Sequence, residues 1–322
     1  MVVFYKPDIS HFIEQRIIDD ALQHVIINEI NPYKFKRRLF MKYKTLAITG
    51  ATSGIGKATA ERLAGDFDEI ILLVRNVVKA EKFKDELLER YENLNIDIVE
   101  CDLSSLVSVQ TAADTIQLKY EKIDCLINNA GVVSLSKKMT KDGFEMMMGT
   151  NYIGHYLLTH HLFSLVMNSE TKQIVIVSSN AYAFTTLGRN YFTGNGNPMN
   201  LYGRSKLATL YFMQELHERF SDVGLHVTAV HPGAVSTNLG KTPQNEKFGR
   251  LVYGVLTPFF QTPAGGAEST ILAVRDKEKY AGHYMHVGKD IPLKPHGKSY
   301  YVRKQLIRDT MDELNLNTFM ER

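Results

Sequence analysis

From residue 44 onward, short apolar runs alternate with stretches of helical length; the runs fall at 45–49, 69–74, 96–101, 123–127, 173–177 and 225–230. They are apolar nearly throughout instead of alternating with polar positions, the pattern of strands covered on both faces of a parallel sheet. Between them, helices are predicted to begin near Gly56, Lys79, Ser105, Lys141 and Leu201. Strand and helix in alternation predict an α/β fold: one doubly wound domain with a parallel sheet of about seven strands, right-handed crossovers laying the helices on both faces. No internal repeat or linker divides residues 44–322, so they are read as a single domain. The segment at about 234–262, rich in Gly, Pro and aromatics, breaks the rhythm and is expected to form a lid.

Ahead of this domain, Phe12, Ile13, Ile17, Leu22, Val25, Ile26 and Ile30 recur at helical spacing, with Ser10 as N-cap and Pro32 beyond the end. Residues 1–43 are therefore read as an N-terminal helical extension that packs on the body or on a second subunit. The basic residues Lys34, Lys36, Arg37, Arg38, Lys42 and Lys44 are read as a solvated connector; contact with a membrane surface is not expected.

Composition narrows the classes. Of 322 residues, 44% are hydrophobic, and 38 Lys plus Arg against 35 Asp plus Glu leave a net charge of +3. That excludes a disordered chain and gives no electrostatic ground for nucleic-acid binding. Cys101 and Cys125 lie in apolar runs and are expected to be reduced and buried. No stretch approaches 18 uninterrupted apolar residues, and the opening residues do not read as a secretory leader. The expectation is a soluble, cytoplasmic protein.

Candidate chemistry begins after the first strand, at Thr49-Gly50-Ala51-Thr52-Ser53-Gly54-Ile55-Gly56, followed by a helix-forming segment. Glycines at 50, 54 and 56 let an anion approach main-chain N–H groups at a helix N-terminus, as in the Rossmann dinucleotide cradle, although the spacing is G-x-x-x-G-x-G. An acidic residue near the end of the second strand would bind a ribose 2′-hydroxyl. Here Val74 is followed by Arg75, which suits a 2′-phosphate, so NADP(H) is expected over NAD(H). The plainer alternative is that Arg75 only ends the strand. Asp102 is placed either at the adenine edge or as a helix N-cap.

Tyr202 and Lys206 sit four apart in a helical pattern and share a face. A phenol needs roughly 4 kcal/mol to become half ionised at pH 7, and a neighbouring ammonium is expected to supply much of that. Ser179, at the end of the fifth strand, is placed to bind the same substrate oxygen.

In order along residues 44 to about 290, Thr49-Gly50-x-x-x-Gly54-x-Gly56, Asp102-Leu103, Asn128-Asn129-Ala130-Gly131, Asn151, Ser179, Tyr202-x-x-x-Lys206 and Pro232-Gly233 resemble the classical short-chain dehydrogenases/reductases. Val74-Arg75-Asn76, 149–155 and 231–239 look like the retinol dehydrogenase and WW-domain oxidoreductase branch. The resemblance implies a tetrad of Asn151, Ser179, Tyr202 and Lys206, with Asn151 holding a relay water and Lys206 also binding the nicotinamide ribose. It implies a cofactor site formed by Gly50, Thr52, Ser53, Gly54, Ile55, Gly56, Arg75, Asn76, Asp102, Leu103, Asn129, Ala130, Gly131, Tyr202, Lys206, Pro232, Gly233, Val235 and Thr237. Ser179 is preferred to Ser178. The long extension and the loop Gly194-Asn195-Gly196-Asn197-Pro198 depart from the family pattern. Helices near Asn151 and Tyr202 commonly pair subunits in this family, so a homo-oligomer is an expected possibility.

Tyr182, Phe184, Tyr191, Phe192 and Met199, with Leu239, Phe248, Leu251, Tyr253, Phe259 and Phe260 of the lid, are candidates for an apolar pocket; docking of the lid onto the sheet explains them equally well. His155, His160 and His161 contain no i, i+4 pair, and no metal site is expected. The reading is an NADP-dependent oxidoreductase acting on a carbonyl or alcohol of a small lipophilic molecule. The alternatives are a catalytically silent NADP-binding regulator or scaffold, and reduction of an activated C=C bond.

Overall fold

The computed structural model describes residues 44–188, 190–233 and 262–320. The predicted extension at 1–43, the lid at 234–261 with its aromatics, and Val235 and Thr237 lie outside the described residues.

Strands β1 (Thr45–Thr49), β2 (Glu69–Val74), β3 (Asn95–Glu100), β4 (Cys125–Asn128), β5 (Gln173–Val177), β6 (His226–Val230) and β7 (Tyr284–His286) form a parallel sheet in the order 3-2-1-4-5-6-7. A two-residue strand, β8 (Lys289–Asp290), adds to β7 antiparallel, an edge too short and polar to be read from hydrophobic patterning. β1, β2, β4 and β5 are buried along their whole length, which accounts for their unbroken apolar runs.

The covering helices are α1 (Gly54–Leu63), α2 (Val77–Leu88), α3 (Leu106–Lys119), α4 (Gly154–Met167), α5 (Pro198–Phe220), α6 (Pro263–Arg275) and α7 (Tyr300–Glu313). They divide the core in two. Val109, Ile116, Tyr156, Phe163 and Phe212 pack on one side of the sheet, and Leu63, Phe83, Leu87, Ile271 and Val274 on the other. The helix expected near Lys141 starts later, at Met146, and passes into a five-residue π-turn, Gly149–Ile153, before α4. After α7 the chain lays Phe319 against Tyr156, Phe212 and Phe220. No helix among the described residues is long and apolar enough to cross a membrane.

Because β1 has β2 on one side and β4 on the other, chain direction away from the sheet reverses there. The carboxyl ends flanking such a switch point form a crevice where doubly wound sheets bind ligands.

Candidate active site

β1 ends at Thr49, and the chain turns at Gly50 with φ +71° and again at Gly54 with φ +56°. At Gly56 a Cβ would stand 2.3 Å from the Gly50 carbonyl oxygen and 2.4 Å from Asn129 Nδ2, so no larger residue fits. Ser53 is the N-cap of α1, yet its side chain makes no capping bond and no acidic residue occupies the first turn. The orphan N–H groups and positive end of the helix are thus offered to an anion, and the closely approached backbone fits a pyrophosphate. Asn129 braces this turn, its Nδ2 donating to the Thr49 carbonyl at 2.8 Å.

At the end of β2, Arg75 is exposed and makes no ion pair with any described residue. Asn76 instead caps α2, accepting from the Lys79 N–H at 2.9 Å. Asp102 accepts from both the N–H and the hydroxyl of Ser104, at 3.0 and 2.7 Å. The alternative of Asp102 as N-cap is not what forms, because Ser105 caps α3. Leu103 is buried beside Gly154.

Tyr202 and Lys206 lie on α5, which begins with Asn197 as N-cap and Pro198 in its first turn, so the unmatched Asn-Pro pair starts the helix that carries both. A Cβ at Gly203 would lie 2.7 Å from the Ala181 carbonyl oxygen. Glycine there lets α5 press against the 3-10 turn Asn180–Phe184, whose N-cap is Ser179. Ser179 consequently faces the half-buried Tyr202 phenol closely enough to oppose the effect of its burial. Ser178 is turned inward and donates to the Lys206 carbonyl at 3.0 Å. Lys206 is buried, its Nζ 2.8 Å from the Val177 carbonyl and 5.8 Å from the Tyr202 ring centre.

The electrostatics differ from expectation. Burial raises the Tyr202 phenol above its usual value, with the Ser179 hydrogen bond opposing it. Desolvation lowers Lys206 to about 8. The ammonium was expected to bring the phenol toward neutrality, but here its directed bond goes to a backbone carbonyl and desolvation dominates both groups.

Asn151, in the π-turn, is fully buried and clamps the segment after β4: Val132 N–H donates to its Oδ1 at 2.7 Å, and its Nδ2 donates to the Val132 carbonyl and to Ser205 Oγ at 3.1 and 3.0 Å. A Cβ on Gly131 would stand 3.5 Å from Lys206 Nζ and 3.6 Å from Asn151 Oδ1, so Gly131, Asn151 and Lys206 converge. Ala130 adjoins Gly50. Pro232 and Gly233 follow β6, Gly233 with φ +81°. His155, whose spacing suits no metal site, lies buried between Thr49 and Asn151. Its partner Thr49 is 106 residues away, so no local spacing could have revealed it.

The expected pocket residues divide. Tyr182 is buried against Tyr284 and His296, and Tyr191 and Phe192 pack on each other beside α7 in an open groove of about 880 Å³. Phe184 and Met199 remain 85% and 65% exposed. Their sequence neighbours are joined, Asn200 Nδ2 donating to Thr185 Oγ1 at 3.0 Å.

Residues 44–247 match the short chain dehydrogenase family model. Retinol dehydrogenase 14 of Mus musculus is 33% identical over 281 residues, covering 83% of this chain and 84% of that protein. Retinol dehydrogenase 13 of Homo sapiens is 38% identical over 203 residues, 62% of this chain and 61% of that one. A solved structure of an uncharacterized protein from Mycobacterium paratuberculosis superimposes with a TM-score of 0.67 at 28% identity, covering 85% of this chain and 94% of that one. L-sorbose reductase from Gluconobacter frateurii, solved with NADPH and L-sorbose, gives a TM-score of 0.61 at 19% identity over 78% of this chain and 98% of that one, a likeness of fold. These relatives correct one expectation. A cytoplasmic location is not supported beside proteins named for retinol, an apolar alcohol that partitions into lipid, and it is withdrawn.

Proposed function

This chain belongs to the short-chain dehydrogenase family and is a nicotinamide-nucleotide-dependent oxidoreductase, and from that premise we propose that it exchanges hydride between NADP(H) and the carbonyl or alcohol carbon of an apolar substrate. The observation that carries the proposal is the meeting of Ser179, Tyr202 and Lys206 at the carboxyl end of β5, one strand from the switch point.

The glycine turn and the N-terminus of α1 would hold the pyrophosphate, Arg75 the 2′-phosphate, Lys206 the nicotinamide ribose, and Pro232 with Gly233 the nicotinamide end. Bound NADP(H) supplies or accepts the hydride. Ser179 orients the substrate oxygen by hydrogen bonding, and Tyr202 gives that oxygen a proton in reduction or takes one in oxidation. Burial keeps the resting phenol protonated at neutral pH, which suits reduction. The proton of Tyr202 is replaced from the Lys206 side of the site, where the depressed ammonium releases one more readily than an ordinary lysine.

Two features support a lipophilic substrate: the relatives are named for retinol, and Phe184 and Met199, in the stretch of chain between Ser179 and Tyr202, leave apolar side chains exposed. Arg75, exposed and without an ion pair among the described residues, supports NADP(H), since a guanidinium binds phosphate through charge-assisted hydrogen bonds worth about 1.5–3 kcal/mol. The test is turnover of retinal and other apolar aldehydes with each cofactor. NADPH is expected to be preferred, and Arg75→Glu to cut the NADPH-to-NADH ratio of kcat/KM by about tenfold or more. A preference for NADH, or an Arg75→Glu ratio equal to wild type, would remove this cofactor assignment.

A further inference from the structure

The buried ring of His155 touches two elements that the proposed nucleotide site needs, and its hydrogen bonds can be assigned completely. Nδ1 lies 3.0 Å from the Asn151 carbonyl, which can only accept, so Nδ1 carries a proton. In an uncharged ring Nε2 then accepts, and its partner at 2.9 Å is the Thr49 hydroxyl. That hydroxyl has its own oxygen filled by the N–H groups of Asn129 and Ala130, both at 2.9 Å, and its proton goes to His155, which is nearer than its other acceptor, the Ile127 carbonyl at 3.4 Å. Two residues on from Ala130, Val132 is held at both N–H and C=O by the Asn151 side chain. The bonds therefore form a closed circuit: Thr49 to the 129–132 segment, to Asn151, to His155, and back to Thr49.

We propose that His155 is a positioning residue, an uncharged link that closes this circuit and so fixes the 129–132 segment between the glycine turn and Lys206, setting the width of the nucleotide cleft. A positive ring would break it, because Nε2–H would point at a hydroxyl oxygen already holding two donors. The surroundings agree: desolvation, opposed by the hydrogen bond to the Asn151 carbonyl and helped by the charge of Lys206, lowers His155 to about 4. The inference rests on the nucleotide site proposed above.

Phenylalanine preserves the volume of the ring and removes both hydrogen bonds, whereas glutamine retains a donor and an acceptor in a different shape. With NADPH affinity read by fluorescence titration and kcat by turnover, His155→Phe is expected to weaken NADPH at least about tenfold and to lower kcat, with His155→Gln returning both to within about threefold of wild type. A purely space-filling role predicts the reverse order, and Phe matching or exceeding Gln overturns the proposal. Should either variant fail to fold, ¹⁵N NMR of histidine-labelled wild type decides. An Nδ1-protonated neutral ring at pH 6 that shifts on addition of NADP⁺ supports the link; an Nε2-protonated or charged ring, or one indifferent to NADP⁺, rejects it. Wild type that takes up no nucleotide sinks the cofactor reading, whereas equal nucleotide binding and kcat in wild type and His155→Phe sinks this inference alone.

Discussion

The two halves of α5 bury charge in opposite ways. Near its start, Lys206 is buried with a backbone carbonyl as its directed partner and no carboxylate among the described residues, and it is depressed to about 8. Near its end, buried Glu215 gathers Arg219 Nε at 2.6 Å, Lys304 Nζ at 2.8 Å and Arg303 Nε at 3.2 Å, and Glu218 joins Arg303 and Lys304 from the surface. There burial opposes the charge of Lys304, but the hydrogen bonds of Glu215 and Glu218 outweigh it and hold the ammonium above its usual value. One end leaves a buried cation with no carboxylate beside it among the described residues; the other gathers an ion-pair cluster that docks α7. On one helix, an uncompensated cation coincides with the proposed chemistry and an ion-pair cluster with architecture.

The largest expected effect is at the docking end. Glu215→Ala leaves Arg303, Lys304 and Arg219 without their buried carboxylate and should lower stability by about 3–5 kcal/mol. Chemical denaturation measures this, and kcat per folded molecule should not change. A large loss of kcat with unaltered stability would break the contrast.

At the other end, Lys206→Met should cut kcat at least about a hundredfold. It should leave stability equal or higher, because holding the lysine down from its ordinary 10.5 to about 8 corresponds to about 3 kcal/mol set against folding while the lysine is charged. Parallel denaturation and turnover curves test both halves of that statement.

Acid sharpens the contrast further. Above about pH 6.5 His155 is neutral in folded and unfolded chains alike, and its favourable hydrogen bonds are intact. As pH falls from 6.5 toward 4 the unfolded chain takes up a proton that the folded one refuses, and up to about 3 kcal/mol is lost. The slope of stability against pH in this window should be shallower in His155→Gln than in wild type; identical slopes would place the acid sensitivity elsewhere.

What the sequence made legible was whatever depends on neighbours along the chain. Gly50, Gly54 and Gly56 announce a tight turn because backbone approach forbids side chains, and Tyr202 and Lys206 share a face because of helical pitch. Strand runs were visible because both sheet faces are covered, while β8, two exposed residues long, left no apolar signal. Circuits that close only after the sheet is assembled were invisible: Thr49 meets His155 because α4, which carries it, packs on β4, the strand beside β1, and Glu215 meets Arg303 because α7 folds back across α5. The direction of the Tyr202 shift was missed for the same reason, since desolvation is a property of the packed site and not of spacing. Arg75 and Asn76 show the mixed case: adjacent residues at a strand end, of which one stays open to a ligand and the other is taken by a helix cap.

The measurement that bears most directly on this account is turnover by Tyr202→Phe with NADPH and an accepted aldehyde, alongside NADPH affinity. Removal of the phenol proton while the ring remains should lower kcat by about a thousandfold and leave nucleotide affinity within a few-fold of wild type. Near-normal kcat in a folded, NADPH-binding Tyr202→Phe enzyme would contradict the assignment of Tyr202 as the proton donor.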